Sequence, residues 1–213
     1  MRILALSDTH GCLPDLDVSQ ADCVMIAGDI TPPELQSPEE QRPWLEGAFC
    51  PWVESLEKPV YLALGNHDCV DDFQGPPNLH YGTEIIIGEV LIFSWSPWFA
   101  GFAWEAEEKV LSTKLDVLLT PGPIPSIWLT HAPPKGICDD RKTLSGRRKS
   151  SQAIRKAIKK YQPRLVICGH VHTGRGVVKL GNTEIYNVSV LRGMAVFTVD
   201  PPSMDFDPVL IEI

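Results

Sequence analysis

Short, continuously apolar runs recur along the chain, and each ends abruptly in glycine or polar residues. The five are Arg2-Ile3-Leu4-Ala5-Leu6, Cys23-Val24-Met25-Ile26-Ala27, Val60-Tyr61-Leu62-Ala63-Leu64, Ser126-Ile127-Trp128-Leu129 and Leu165-Val166-Ile167-Cys168. Each reads as a strand buried on both faces. In the first third, strands near 2–7, 22–27 and 59–64 surround a helical pattern within 38–57. That alternation predicts parallel strands joined by right-handed βαβ crossovers.

Past Gly75-Pro76-Pro77 the pattern changes to short strands near 83–87 and 90–94 that meet at Gly88-Glu89. An aromatic stretch from Trp95 to Trp104 follows, then a helical pattern from 104 to 118. Residues 147–161 form a basic amphipathic helix with Ala153, Ile154, Ala157, Ile158 and Tyr161 on one face. Beyond His172, apolar segments near 176–180, 183–188 and 194–199 are separated by Gly181-Asn182 and Arg192-Gly193, before a last strand near 208–213. Such punctuation predicts hairpins and a second, more antiparallel sheet. Two packed sheets with helices outside is the natural layered solution. No linker or repeat divides it, so residues 1–213 read as one α/β domain.

Composition narrows the function. Hydrophobic residues make up 44% of the 213, enough for a sizeable core. No apolar run approaches the ~20 residues that span a bilayer, and the N-terminus enters a strand without a cleavable signal pattern. A cytoplasmic protein without a membrane partner is the expectation. Six cysteines lack Cys-x-x-Cys spacing, and two lie inside apolar runs, as reduced thiols do. A net charge of −8 argues against an extended nucleic-acid surface. A small anionic substrate would need a local positive source.

The polar residues after the five runs provide one. They are Asp8 and His10, Asp29, Asn66 with His67 and Asp68, His131, and His170 with His172. A single such cluster reads as a surface turn. Five in one chain, holding five of its six histidines, read as a site assembled at the carboxyl ends of strands. Carboxylate, amide and imidazole donors without thiolate suit manganese, iron or zinc. Seven candidates (Asp8, His10, Asp29, Asn66, His131, His170, His172) exceed one tetrahedral ion and point to two. Two divalent ions against two carboxylates leave about +2 locally, which answers how an acidic chain could attract phosphate.

Asp8-Thr9-His10, Gly28-Asp29, Gly65-Asn66-His67-Asp68, Thr130-His131 and Gly169-His170-Val171-His172 resemble, in order, the five blocks of the calcineurin-like metallophosphoesterase superfamily. The resemblance implies a four-layer α/β/β/α sandwich of two mixed sheets. It also implies that Asp8, His10, Asp29 and His172 hold one metal, and Asn66, His131 and His170 a second, with Asp29 bridging. A hydroxide between the metals would attack phosphorus in line, and His67 would serve as general acid. Asp68 would orient or charge-stabilise that imidazole, or else bond local backbone.

Ser96-Pro97-Trp98, His131-Ala132-Pro133-Pro134-x-Gly136-Ile137, Pro163-Arg164-Leu165 and Tyr186-Asn187 are similar to a smaller branch, the metallophosphoesterase-domain-containing proteins. Thr173-Gly174-Arg175-Gly176 departs from that branch's Glu-Gly-Tyr-Gly-like run. Arg175 is thus a phosphate contact or a turn residue. Trp98 walls a pocket or packs, and Arg147 touches phosphate or lies on a solvated helix face. The function implied is hydrolysis of a small phosphate ester, with a phosphodiester or cyclic nucleotide preferred by analogy. The alternatives are a phosphomonoesterase, including a protein phosphatase, and a non-catalytic metal-binding module. Cysteines 12, 69, 138 and 168 lie close in sequence to the ligand loops and read as small apolar fillers.

Overall fold

The computed structural model describes residues 1–82, 84–94, 104–119, 125–139, 150–190 and 207–213. In the first sheet, β1 (Arg2–Leu6), β2 (Cys23–Ile26), β3 (Val60–Leu62) and β4 (Leu79–Tyr81) run parallel in that order. A C-terminal strand, β11 (Val209–Glu212), pairs antiparallel with β1 on its free side. The second sheet has the order β5-β6-β7-β8-β10-β9, built from β5 (Glu84–Ile87), β6 (Val90–Phe93), β7 (Ile127–Thr130), β8 (Leu165–Cys168), β9 (Gly176–Leu180) and β10 (Thr183–Asn187).

Alternation along each strand divides the apolar side chains among three cores. Leu4, Leu6, Val24, Ile26, Val60 and Leu62 point outward onto Leu45, Phe49 and Val53. Ile3, Ala5, Met25, Ile127, Leu129, Leu165 and Ile167 meet between the sheets. Leu91, Phe93, Trp128, Val166 and Ile185 face Leu115, Leu119, Ile154 and Ile158 on the far side. Three cores between four layers make this an α/β/β/α sandwich of two mixed sheets.

The helical segment of the first half comprises α1 (Pro38–Trp44) and α2 (Cys50–Ser55), joined by a π-helical turn, Leu45–Phe49. The Cys50 N–H bonds the Leu45 carbonyl five residues back. This widening precedes Pro51, which has no N–H to give and whose ring crowds the carbonyl four residues earlier. On the second sheet lie α3 (Trp104–Leu119) and α4 (Gln152–Tyr161). In α4, Ala153, Ile154, Ala157 and Ile158 are buried as their spacing predicts. No helix among the described residues is long and apolar enough to cross a membrane.

One expectation needs correction, and one strand was not read from the sequence. Among the described residues the second sheet is antiparallel at its edges alone, in the β5–β6 and β10–β9 hairpins; β6, β7, β8 and β10 are parallel. Turn residues mark only sequence-local pairs, whereas the central strands pair across α3 and α4. Strand β4 went unread because it is three residues long, in register with Val60–Leu62 of β3 at the sheet edge. The strand expected near 194–199 lies outside the described residues.

Candidate metal centre

Because β1, β2 and β3 are parallel in one sheet, and β7 and β8 in the other, each group of strands delivers its ligand loops at one end. Hydrogen bonds then tie the two sheets together there. His131 Nδ1 lies 2.6 Å from the Ala27 carbonyl, and the His170 N–H donates to both carboxylate oxygens of Asp8 at 3.1 and 3.0 Å. Ser7 and Ser189 form a parallel bridge at the same edge.

The backbone is bent sharply to aim these side chains. Asp8, His10, Asp29 and His170 have φ of 59°, 44°, 54° and 65°, the left-handed region that L residues with side chains rarely adopt. Each departure costs on the order of 1 kcal/mol or more, and such strain gathers at functional sites. Close approach accounts for Gly65 and Gly169. A Cβ on Gly65 would overlap Oδ1 of Asp29, and one on Gly169 would overlap Oγ of Ser7.

Two groups of donors result. Asp8, His10 and His172 form one, and Asp29, His131 and His170 the other, with the ligand atoms of each group within 4.8 Å of one another. In the first, His172 Nε2 is 3.2 Å from Asp8 Oδ1. In the second, His131 Nε2 faces Asn66 Oδ1 at 3.1 Å, His170 Nδ1 at 3.2 Å and Asp29 Oδ2 at 3.3 Å. Asp29 Oδ2 also lies 3.9 Å from His10 Nε2 in the first group. The His67 ring packs edge-on to His10, centroids 5.1 Å apart.

The donors fit divalent cations. With Nδ1–H of His131 on the Ala27 carbonyl, its Nε2 faces two oxygens and a nitrogen, an arrangement that calls for a cation or a proton in its midst. Among the described residues, neither of the buried ring nitrogens of His10 has a hydrogen-bond partner. A buried imidazole with two unmet nitrogens is costly unless something else binds it. Electrostatics point the same way. Burial disfavours the charged imidazole of His131, yet the Asp29 carboxylate overcomes it and lifts the pKa to about 9. Burial pushes the Asp29 carboxyl upward, but His131 holds it far below the usual carboxylate range. Asp8 is likewise held low by its bond to His172 against the opposing effect of burial.

The Asp68 carboxylate turns onto the backbone of the neighbouring loops. Oδ2 accepts the N–H groups of Asp29 (2.8 Å) and Gly65 (2.7 Å), and Oδ1 those of Ile30 (3.0 Å) and Thr31 (3.1 Å) and the Thr31 hydroxyl (3.0 Å). Of the two settings open to it in the sequence, backbone bonding is the one observed. Through these bonds it braces the loops of Asp29 and His67. Arg175 spends its guanidinium on the Ser189 carbonyl at 2.7 Å and on Asp207, bonds that hold the C-terminal segment. Trp98 and Arg147 lie outside the described residues. Sequence reasoning gave no role to two buried carboxamides. Asn187 donates to the carbonyls of Gly169 and Val171 at 3.2 and 2.9 Å, bracing the His170 loop. Gln41 reaches the His67 loop from α1.

Comparison with known proteins adds to this picture. Metallophosphoesterase domain-containing protein 1 of Homo sapiens and of Mus musculus is 26% identical over 223 residues, covering 89% of this chain. The chain spans 66% of the length of these relatives. GAP50, the anchor in the inner membrane complex of Plasmodium, is similar in fold, with a TM-score of 0.50 and 12% identity over 89% of this chain and 71% of its own. Another crystal structure reaches 0.57 at 17% identity, over 87% of this chain and 89% of its own. The calcineurin-like phosphoesterase family pattern matches residues 1–174, from β1 through His172 and so across all five ligand loops; the chain belongs to that family.

Proposed function

We propose that the chain is a metal-dependent phosphoesterase acting on a small phosphate ester, with a phosphodiester or cyclic nucleotide preferred. The observation that carries this reading is the pair of donor groups meeting at Asp29, whose Oδ2 faces His131 at 3.3 Å and His10 at 3.9 Å. Asp8, His10 and His172 would hold one divalent ion (manganese, iron or zinc), and Asn66, His131 and His170 the other, with Asp29 shared. When bound, the ions supply the positive charge that neutralises phosphate oxygens and lower the pKa of water toward neutrality.

The chain's own residues do the rest. Ala27 fixes the His131 tautomer through Nδ1, leaving Nε2 for the ion. The His67 imidazole, beside the first donor group, gives its proton to the leaving oxygen. The test is purified protein with a metal panel against bis-p-nitrophenyl phosphate, p-nitrophenyl phosphate, and 2′,3′- and 3′,5′-cyclic nucleotides. Diester turnover above monoester turnover is expected. No turnover with any metal sinks the reading.

A further inference from the structure

Gln41 is an uncharged residue inside a helical pattern, yet its side chain is fully buried. Both ends of its carboxamide reach the segment around His67. Nε2 donates to the carbonyls of His67 at 2.6 Å and Leu35 at 2.8 Å, and Oε1 accepts the Cys69 N–H at 2.6 Å. The helix that presents it is itself fixed at its start. Ser37 caps α1 by accepting the Glu40 N–H, while Glu40 accepts the N–H groups of Gln36 and Ser37 in return.

The consequence is a backbone held on both sides of the His67 Cα. Its N–H donates to Asp29 Oδ1 at 2.8 Å, and its carbonyl accepts from Gln41 Nε2 and from Thr31 Oγ1 at 2.9 Å. A residue gripped this way has little freedom to re-aim its ring. Of the donors at that carbonyl, Gln41 makes the shortest bond, and its carboxamide also accepts the backbone N–H of residue 69. We propose that Gln41 is a positioning residue for His67, its carboxamide setting the 67–69 backbone so that the imidazole meets the leaving-group oxygen. This rests on the reading of His67 as the acid of a phosphoesterase. A Gln41 that merely supported the fold would lower activity on every substrate alike.

Leaving-group dependence separates the two, because an acid matters most when the departing oxygen is basic. Gln41→Met keeps the side-chain size and removes the amide; Gln41→Glu keeps an oxygen for Cys69 but sets a second against two carbonyls. Each full-length variant, loaded with manganese and with metal content checked, is assayed on aryl phosphodiesters whose leaving phenols run from p-nitrophenol to unsubstituted phenol. Turnover of the nitrophenyl ester should stay within about twofold of wild type, while that of the phenyl ester falls about tenfold or more. His67→Gln should lose turnover on both esters and more on the phenyl ester, and the Gln41→Met, His67→Gln pair should lose no more than His67→Gln alone. Equal loss on all esters, or additive losses in the pair, overturns the inference. Should Gln41→Met fail to fold, Gln41→Glu carries the test.

A readout independent of turnover is the nitrogen–proton correlation spectrum of the histidine rings. The His67 resonances should shift in Gln41→Met while those of His131 and His170 stay. If wild type hydrolyses no ester, the phosphoesterase reading fails on that count. An unmoved His67 ring would overturn the positioning role in either case.

Discussion

The backbone N–H of His67 donates to Oδ1 of Asp29 at 2.8 Å, while Oδ2 of the same carboxylate faces His131 and His10. One side chain thus couples the proposed metal pair to the loop of the proposed acid. Asp29→Asn separates these tasks, since its amide oxygen can still accept from His67 but the charge shared by both donor groups is gone. We expect fewer than two ions per chain by elemental analysis. Turnover should fall by more than about 100-fold, beyond the usual effect of losing a ligand's supporting partner. A variant that keeps two ions would refute the shared role.

Asp68 should matter to stability first. Its two oxygens accept four backbone N–H groups and one hydroxyl while 2% exposed. In Asp68→Asn one oxygen becomes an NH₂ that faces donors whichever way the amide turns. Leaving such groups unmet should lower stability by about 3 kcal/mol. Urea denaturation at constant m-value reads this directly. Unchanged stability would mean that the loops do not depend on the carboxylate.

How far the sequence disclosed these arrangements depended on range. His10 and His172, or His131 and His170, were legible because each follows a buried apolar run, and parallel strands deliver their ends to one edge. Gln41 was not legible, because a polar residue at a helical position reads as solvated until the packing of α1 against the 67–69 loop is known. Asp68 was half legible: its place beside His67 was evident, but which way its carboxylate turns depends on the N–H groups of residues 29–31, far away in sequence. The parallel centre of the second sheet was hidden for the same reason, since Gly88 and Gly181 announce only neighbouring strands.

Two glycines should respond oppositely to alanine. In Gly65→Ala the new methyl would collide with Asp29 Oδ1, on rigid backbone and a carboxylate pinned by His67. Stability should fall by about 2 kcal/mol or more, and metal binding should weaken. Gly47 sits exposed in the π-helical turn, and a Cβ there meets no atom of the described residues within 4 Å. Gly47→Ala should stabilise by about 0.5–1 kcal/mol through helix propensity alone. Thermal melts of the pair check both signs; a harmless Gly65→Ala would contradict the packing at the centre.

Metal removal should be visible without any substrate. Asp8 and Asp29 are 0% and 2% exposed, and among the described residues His10 has no hydrogen-bond partner for either ring nitrogen. Two buried carboxylates facing a cluster of imidazoles hold together far better around cations than without them. Each ion present at 100 times its Kd adds about 2.7 kcal/mol to the folded state. For a chain of this size that corresponds to about 5–10 °C in Tm per ion. Chelator-treated protein should therefore melt at least about 5 °C below the manganese- or zinc-loaded form, and recover when the metal returns. His131→Gln, which strips the second donor group of a ligand and leaves the first intact, should keep only part of that recovery. A Tm indifferent to both metals would show that these residues do not form a metal centre.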